Sequence, residues 1–68
     1  IALSDVGVGI KLCEAAMNGA SLNVYINTGM MKDKSQVEKL NAKADDLIKR
    51  SEELSQITYE RVLKEIRK

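Results

Sequence analysis

The chain has 68 residues and a mass of 7.5 kDa, and its 11 Lys plus Arg against 10 Asp plus Glu leave a net charge of +1. A chain of that length buries only about 60% of its unfolded surface, and one Cys with no His excludes an internal disulfide and a zinc, copper or haem ligand set. A near-neutral charge with Tyr25 and Tyr59 as sole aromatics gives neither an electrostatic footprint nor a stacking platform for nucleic acid.

Residues 1 to 31 carry only Asp5, Lys11 and Glu14 as charges, whereas residues 32 to 68 carry ten basic and eight acidic side chains. In the first part, Val6, Ile10, Cys13, Met17, Ala20 and Val24 recur at alternating spacings of four and three, and so do Val8, Leu12, Ala15, Gly19, Leu22 and Ile26. The two rows stand two residues apart, about 200° round a helix, so one partner helix cannot cover both. A third row, Lys11, Glu14, Asn18, Ser21 and Tyr25, is expected to face water or a cleft, and Gly9, Ala16 and Asn23 form a fourth. The pattern predicts an interior bundle helix over about residues 4 to 28, with Ser4 as its N-cap, Asp5 in its first turn and Gly29 just past its end. Leu22 to Asn27 alternates like a strand, but the helical rows run through it and no second strand is present to pair with it. Lys11, Glu14, Asn18 and Asn23 interrupt the apolar stretch from Val6 to Ile26, so no transmembrane helix is expected. No secretory leader is visible, and the expected location is cytoplasmic, away from membranes.

Asn27, Thr28 and Gly29, followed by Lys32, Asp33, Lys34 and Ser35, have the composition of a turn, placed at about residues 29 to 34. Ser35-Gln36-Val37-Glu38 fits a capping box that opens a second helix over about residues 35 to 67. Val37, Leu40, Ala44, Leu47, Ser51, Leu54 and Thr58 make its stripe, with Ile48 and Ile57 beside it, and Tyr59, Val62, Leu63 and Ile66 carry it onward. Pairs of opposite charge at i,i+4, Asp45 with Lys49, Asp46 with Arg50, Glu60 with Lys64 and Arg61 with Glu65, mark the outer face. The expected fold is all-α: two long antiparallel helices belonging to an elongated up-and-down helical bundle, because two helices alone bury too little to offset the entropy of ordering them. The first residue is Ile1 rather than Met, which favours a piece of a larger protein.

Ser4-Asp5-Val6-Gly7-Val8-Gly9, with Ala15-Ala16-Met17-Asn18-Gly19-Ala20-Ser21-Leu22-Asn23-Val24-Tyr25-Ile26-Asn27, resembles the C-terminal part of the formimidoyltetrahydrofolate cyclodeaminase and methenyltetrahydrofolate cyclohydrolase family. The resemblance implies an elongated, dimeric all-α domain of which this chain is the last part, partnered by the remainder of that domain and by a second subunit. It implies a tetrahydrofolate derivative as substrate. Either ammonia is expelled from the 5-formimidoyl group to close the 5,10-methenyl ring, or water opens that ring to the 10-formyl form. No prosthetic group and no metal are implied, and a preceding formimidoyltransferase domain is left open.

The family's catalytic acid lies upstream of the matching part, so no catalytic residue is assigned and the isolated chain is expected to be inactive. Asp5 is then a first-turn charge, and Cys13 a buried small hydrophobe with no His to activate it. Gly7-Val8-Gly9 fails the dinucleotide fingerprint because residue 12 is Leu, and reads as a place of tight helix packing. The candidate substrate-binding residues are Asn18, Asn23 and Asn27, since amides on an apolar helix need partners when buried; hydrogen bonds within the bundle are the alternative. Lys32 and Lys34 are the cations placed to meet a folate glutamate tail, with simple solvation as the alternative. A reading from another class is a non-enzymatic hairpin that self-associates through the same stripes.

Overall fold

A computed structural model describes residues 2 to 68, and Ile1 lies outside the described residues. Helix α1 spans Leu3–Gly29 and helix α2 spans Lys34–Ile66, with Met30 to Asp33 between them. The described residues contain no strand, and Leu22 to Asn27 are helical, so the chain is all-α as its periodicity predicts. The hairpin measures 53 × 15 × 14 Å, a length that 33 helical residues at about 1.5 Å each account for.

The helix ends differ from the expected ones. The N-cap of α1 is Ala2, extended and without a side-chain cap bond, so Ser4 lies inside the first turn beside Asp5. The earlier start adds Leu3 to the ridge that Ile10, Met17 and Val24 continue at intervals of seven. Gly29 is the last residue of α1 rather than a left-handed residue beyond it, since no described glycine has positive φ. The chain turns instead through three-residue bonds, from Met30 N–H to Asn27 O and from Met31 N–H to Thr28 O. Asp33, not Ser35, caps α2, its carboxylate accepting from the Gln36 amide at 3.2 Å. A carboxylate accepts more strongly than a hydroxyl and favours the positive end of the helix, and Asp33 with Gln36 has the capping-box spacing.

The helices meet along a seam that repeats every seven residues. Gly7, Ser21 and Thr28 of α1 are buried and Glu14 is partly buried; Asn41, Ile48, Ser55 and Val62 of α2 are buried or half-buried. Thr28 bonds Asn41 at one end and Gly7 rests on Val62 three heptads away, which makes the pair antiparallel and fixes its register. Of the two expectations for the row of Lys11, Glu14, Ser21 and Tyr25, the cleft holds: the row faces α2, with Lys11 in the groove between the helices, although Asn18 in the same row is exposed. Small seam residues let two helices approach along a left-handed supercoil, whereas α1's two apolar rows lie on opposite sides and cannot both meet one helix.

Both apolar rows of α1 consequently remain outside the contact. Val8, Leu12, Leu22 and Ile26 are 59 to 65% exposed on one side, and Val6, Met17 and Val24 are 37 to 39% exposed on the other. The expected stripe of α2 splits in the same way: Ala44, Ser51 and Thr58 turn inward while Leu40, Leu47, Leu54 and Ile57 stay exposed. Cys13, expected to be buried, is exposed because its row turns away from α2. Of the four expected surface ion pairs only Asp46 with Arg50 forms, at 3.8 Å. Asp45 is taken by Tyr25, Glu60 accepts from Gln56 and Glu65 pairs with Lys68, alternatives that a weak exposed pair does not resist.

Candidate functional site: an open groove above a polar seam

At the open end of the hairpin, Ser4, Gly7, Val8, Lys11 and Leu12 of α1 and Tyr59, Val62, Leu63 and Ile66 of α2 line a groove of about 440 Å³. That volume falls in the range of small-molecule sites, and the lining is mostly apolar. Gly7 leaves the floor low, since a Cβ there would stand 3.3 Å from Val62 Cγ1. Lys11 supplies the charge: its ammonium lies 4.8 Å from the Tyr59 ring centroid, 3.5 Å from Glu14 Oε1 and 3.5 Å from Gln56 Oε1. The groove can hold an apolar or aromatic body beside a cation already engaged by an aromatic face and a carboxylate.

Below it the seam is polar. Ser55 is 1% exposed, and its hydroxyl lacks a partner within hydrogen-bonding geometry. It lies close enough to Glu14 to be the chief influence holding that carboxyl below the usual range; partial burial opposes this and Lys11 adds to it. Nearer the turn, the Tyr25 hydroxyl donates to Asp45, whose acceptor oxygen pushes the phenol above its usual value.

The two groups act at opposite ends of the pH scale. Glu14, with its folded value lowered, contributes stability that is complete above the unfolded carboxylate value and lost as pH falls through the lower folded one. Tyr25, with its folded value raised, contributes stability that is complete below the unfolded phenol value and lost as pH rises through the higher folded one. Ser55→Ala is expected to return Glu14 toward the ordinary carboxylate range, and Tyr25→Phe to remove the alkaline loss. Carboxyl NMR titration and alkaline unfolding check these; an unmoved Glu14 in Ser55→Ala would contradict the assigned cause.

The three asparagines do not converge. Asn18, Asn23 and Asn27 are all exposed on α1, with about 140° between Asn18 and Asn23 and about 40° between Asn23 and Asn27. Asn18 borders the seam, where its carbonyl accepts from Ser21 Oγ at 2.6 Å, and Asn23 points away from α2 on the row of Gly9 and Ala16. Lys32 and Lys34 are exposed at the turn, at the opposite end from the groove. The groove and seam escaped the sequence reading because their signal is a seven-residue recurrence of small and polar side chains, Gly7, Glu14, Ser21 and Thr28, beneath a stronger apolar one. Among the described residues no helix is long and apolar enough to cross a membrane, and no cluster of three side chains could hold a metal ion.

A family model described as formiminotransferase-cyclodeaminase matches residues 1–46, which takes in α1, the turn and the first part of α2. No curated protein and no solved structure matches the chain.

Proposed function

The chain belongs to the formiminotransferase-cyclodeaminase family, and from that premise we propose that it is the C-terminal part of a one-carbon folate enzyme, a 5-formimidoyltetrahydrofolate cyclodeaminase or a 5,10-methenyltetrahydrofolate cyclohydrolase. The family match across the whole of α1 carries this reading. The chain's own part in it is bundle core, subunit interface and active-site wall, with acid–base chemistry supplied by residues outside it. Asn23 and Asn27, one turn apart on the outer side of α1, are the pair able to serve one folate ligand together, while Asn18 reaches a different side. The remainder of the domain and a second subunit are the partners, and no prosthetic group takes part.

The complete protein, offered 5-formimidoyltetrahydrofolate, is expected to release ammonia and accumulate the methenyl form, or, offered the methenyl form, to yield 10-formyltetrahydrofolate. The 68-residue chain alone is expected to do neither. A folded complete protein that turns over neither substrate contradicts the reading. The second reading, a non-enzymatic self-associating hairpin, is favoured by the apolar rows left uncovered on both sides of α1.

A further inference from the structure

The groove at the open end has the shape of a trough. Its lining runs from Ser4 to Leu12, about 12 Å along α1, and from Tyr59 to Ile66, about 10 Å along α2, so its long axis follows the helices. The walls are aliphatic, with Val8 and Leu12 on one side and Val62, Leu63 and Ile66 on the other, and Gly7 keeps the floor open. The two ends differ. In the antiparallel register, Lys11 and Tyr59 stand at the inner end and Ser4 and Ile66 at the outer one. Lys11 is the only charged side chain in the lining. Its ammonium lies 4.8 Å from the Tyr59 ring centroid, and its contacts with Glu14 and Gln56 are both long, at 3.5 Å. Neither holds it as firmly as an anion at ordinary hydrogen-bond distance would.

We propose that this groove binds a straight-chain carboxylate of about eight to ten carbons, with its carboxylate on Lys11 and its tail laid outward between Val8 and Leu63 to Ile66. Charge selects the head group. One cation at one end of an otherwise uncharged trough complements a single anionic group and repels an ammonium of the same shape. Shape and lining select the tail. An extended acyl chain at about 1.25 Å per methylene spans the trough, and it covers Val8, Leu12 and Ile66, which are 59, 65 and 52% exposed in the hairpin. An inorganic anion would leave those walls bare. The proposal goes beyond the folate reading, since it rests on the lining of the groove and not on the family.

Isothermal titration of the complete protein with alkanoates below their micelle-forming concentrations tests it. Affinity is expected to rise about 3-fold per methylene from hexanoate to decanoate and to level off beyond decanoate, where the trough is full. Decanoate should bind at least about 10-fold more tightly than decylammonium. Lys11→Gln should erase that preference while helicity, followed by circular dichroism, is kept. Val8→Trp, at an exposed position, should fill the trough and weaken both ligands alike. No binding, a gain that continues through tetradecanoate, or a preference that survives Lys11→Gln would each overturn the proposal. Tighter binding of p-aminobenzoylglutamate than of decanoate would also overturn it, by assigning the trough to an aromatic folate tail. None of these readouts is turnover, so failure of the folate reading leaves the proposal standing.

Discussion

Gly7→Leu is expected to lower the stability of the folded chain by about 2–3 kcal/mol, Gly7→Ala to change it little, and Gly9→Ala to raise it by about 1 kcal/mol. All three replace a glycine in the same turn of α1, so helix propensity acts alike at both positions and the difference reports packing. At Gly7 even a methyl would stand 3.3 Å from Cγ1 of Val62, a side chain only 8% exposed, so relief of the glycine entropy is offset by a contact that needs a few tenths of an ångström. A leucine side chain would occupy space where α2 now lies, and the open end would have to part. Gly9 has nothing within 4 Å of its would-be Cβ, so alanine there gains propensity without conflict. Paired glycines read from sequence as a site of tight packing are thus divided, one against α2 and one on the outer side. Urea midpoints at a single chain concentration, with slopes compared to confirm that the unfolding transition is unchanged, provide the measurement. Equal losses in Gly7→Leu and Gly9→Leu would mean that the helices do not meet at Gly7.

What the sequence made legible was whatever depends on period and composition. The rows from Val6 to Ile26 were enough to make α1 a helix through a segment that locally resembles a strand, and the words from Ser4 to Asn27 were enough to indicate the family. The contact between the helices was not legible for a physical reason. Hydrophobic periodicity reports the sum of all partners, and when the widest apolar rows are left outside the hairpin, the strongest signal points away from the partner within the chain. The true seam is marked by Gly7, Ser21, Ser55 and Thr28, residues that composition alone assigns to weak helix or surface. The recurrence of Gly7, Glu14, Ser21 and Thr28 at intervals of seven along α1 was the available clue. The candidate amides show the same limit: spacing put Asn18 and Asn23 on different rows of α1, but exposure depends on what else packs there. Capping went astray because Asp33 and Ser35 both satisfy the local rule, and only the backbone decides which residue stands outside the helix.

Thr28→Val is expected to cost about 1–2 kcal/mol although it preserves the shape of the side chain. Thr28 is 4% exposed, and its hydroxyl lies 2.7 Å from Asn41 Oδ1 and 3.2 Å from the Tyr25 carbonyl. Valine fills the same volume but leaves the half-buried Asn41 oxygen without its donor. Asn41→Ala should cost less, because the threonine proton can still go to the Tyr25 carbonyl, and the double variant should lose less than the two losses added, a coupling of about 0.5–1 kcal/mol. Ser21 is the contrast: its hydroxyl bonds only within its own helix, to Asn18 O, so Ser21→Ala should show no coupling to α2. The larger consequence concerns register. A slip of one heptad would keep every seven-residue interval intact, so apolar periodicity cannot forbid it. Such a slip sets Glu14 opposite Ile48 in one direction and Val62 in the other, and it removes Asn41 from Thr28 in both. A carboxylate against an aliphatic side chain and a buried hydroxyl without its acceptor are both unfavourable, so polar layers at Glu14 and Thr28 select the alignment that the small seam residues alone leave degenerate. Cysteine pairs introduced at matched and one-heptad-slipped positions should cross-link only in the matched register in the native chain, and in both registers once Thr28→Val and Glu14→Ala are combined. Cross-linking confined to the matched register in that double variant would mean that the Met30 to Asp33 turn holds the alignment by itself.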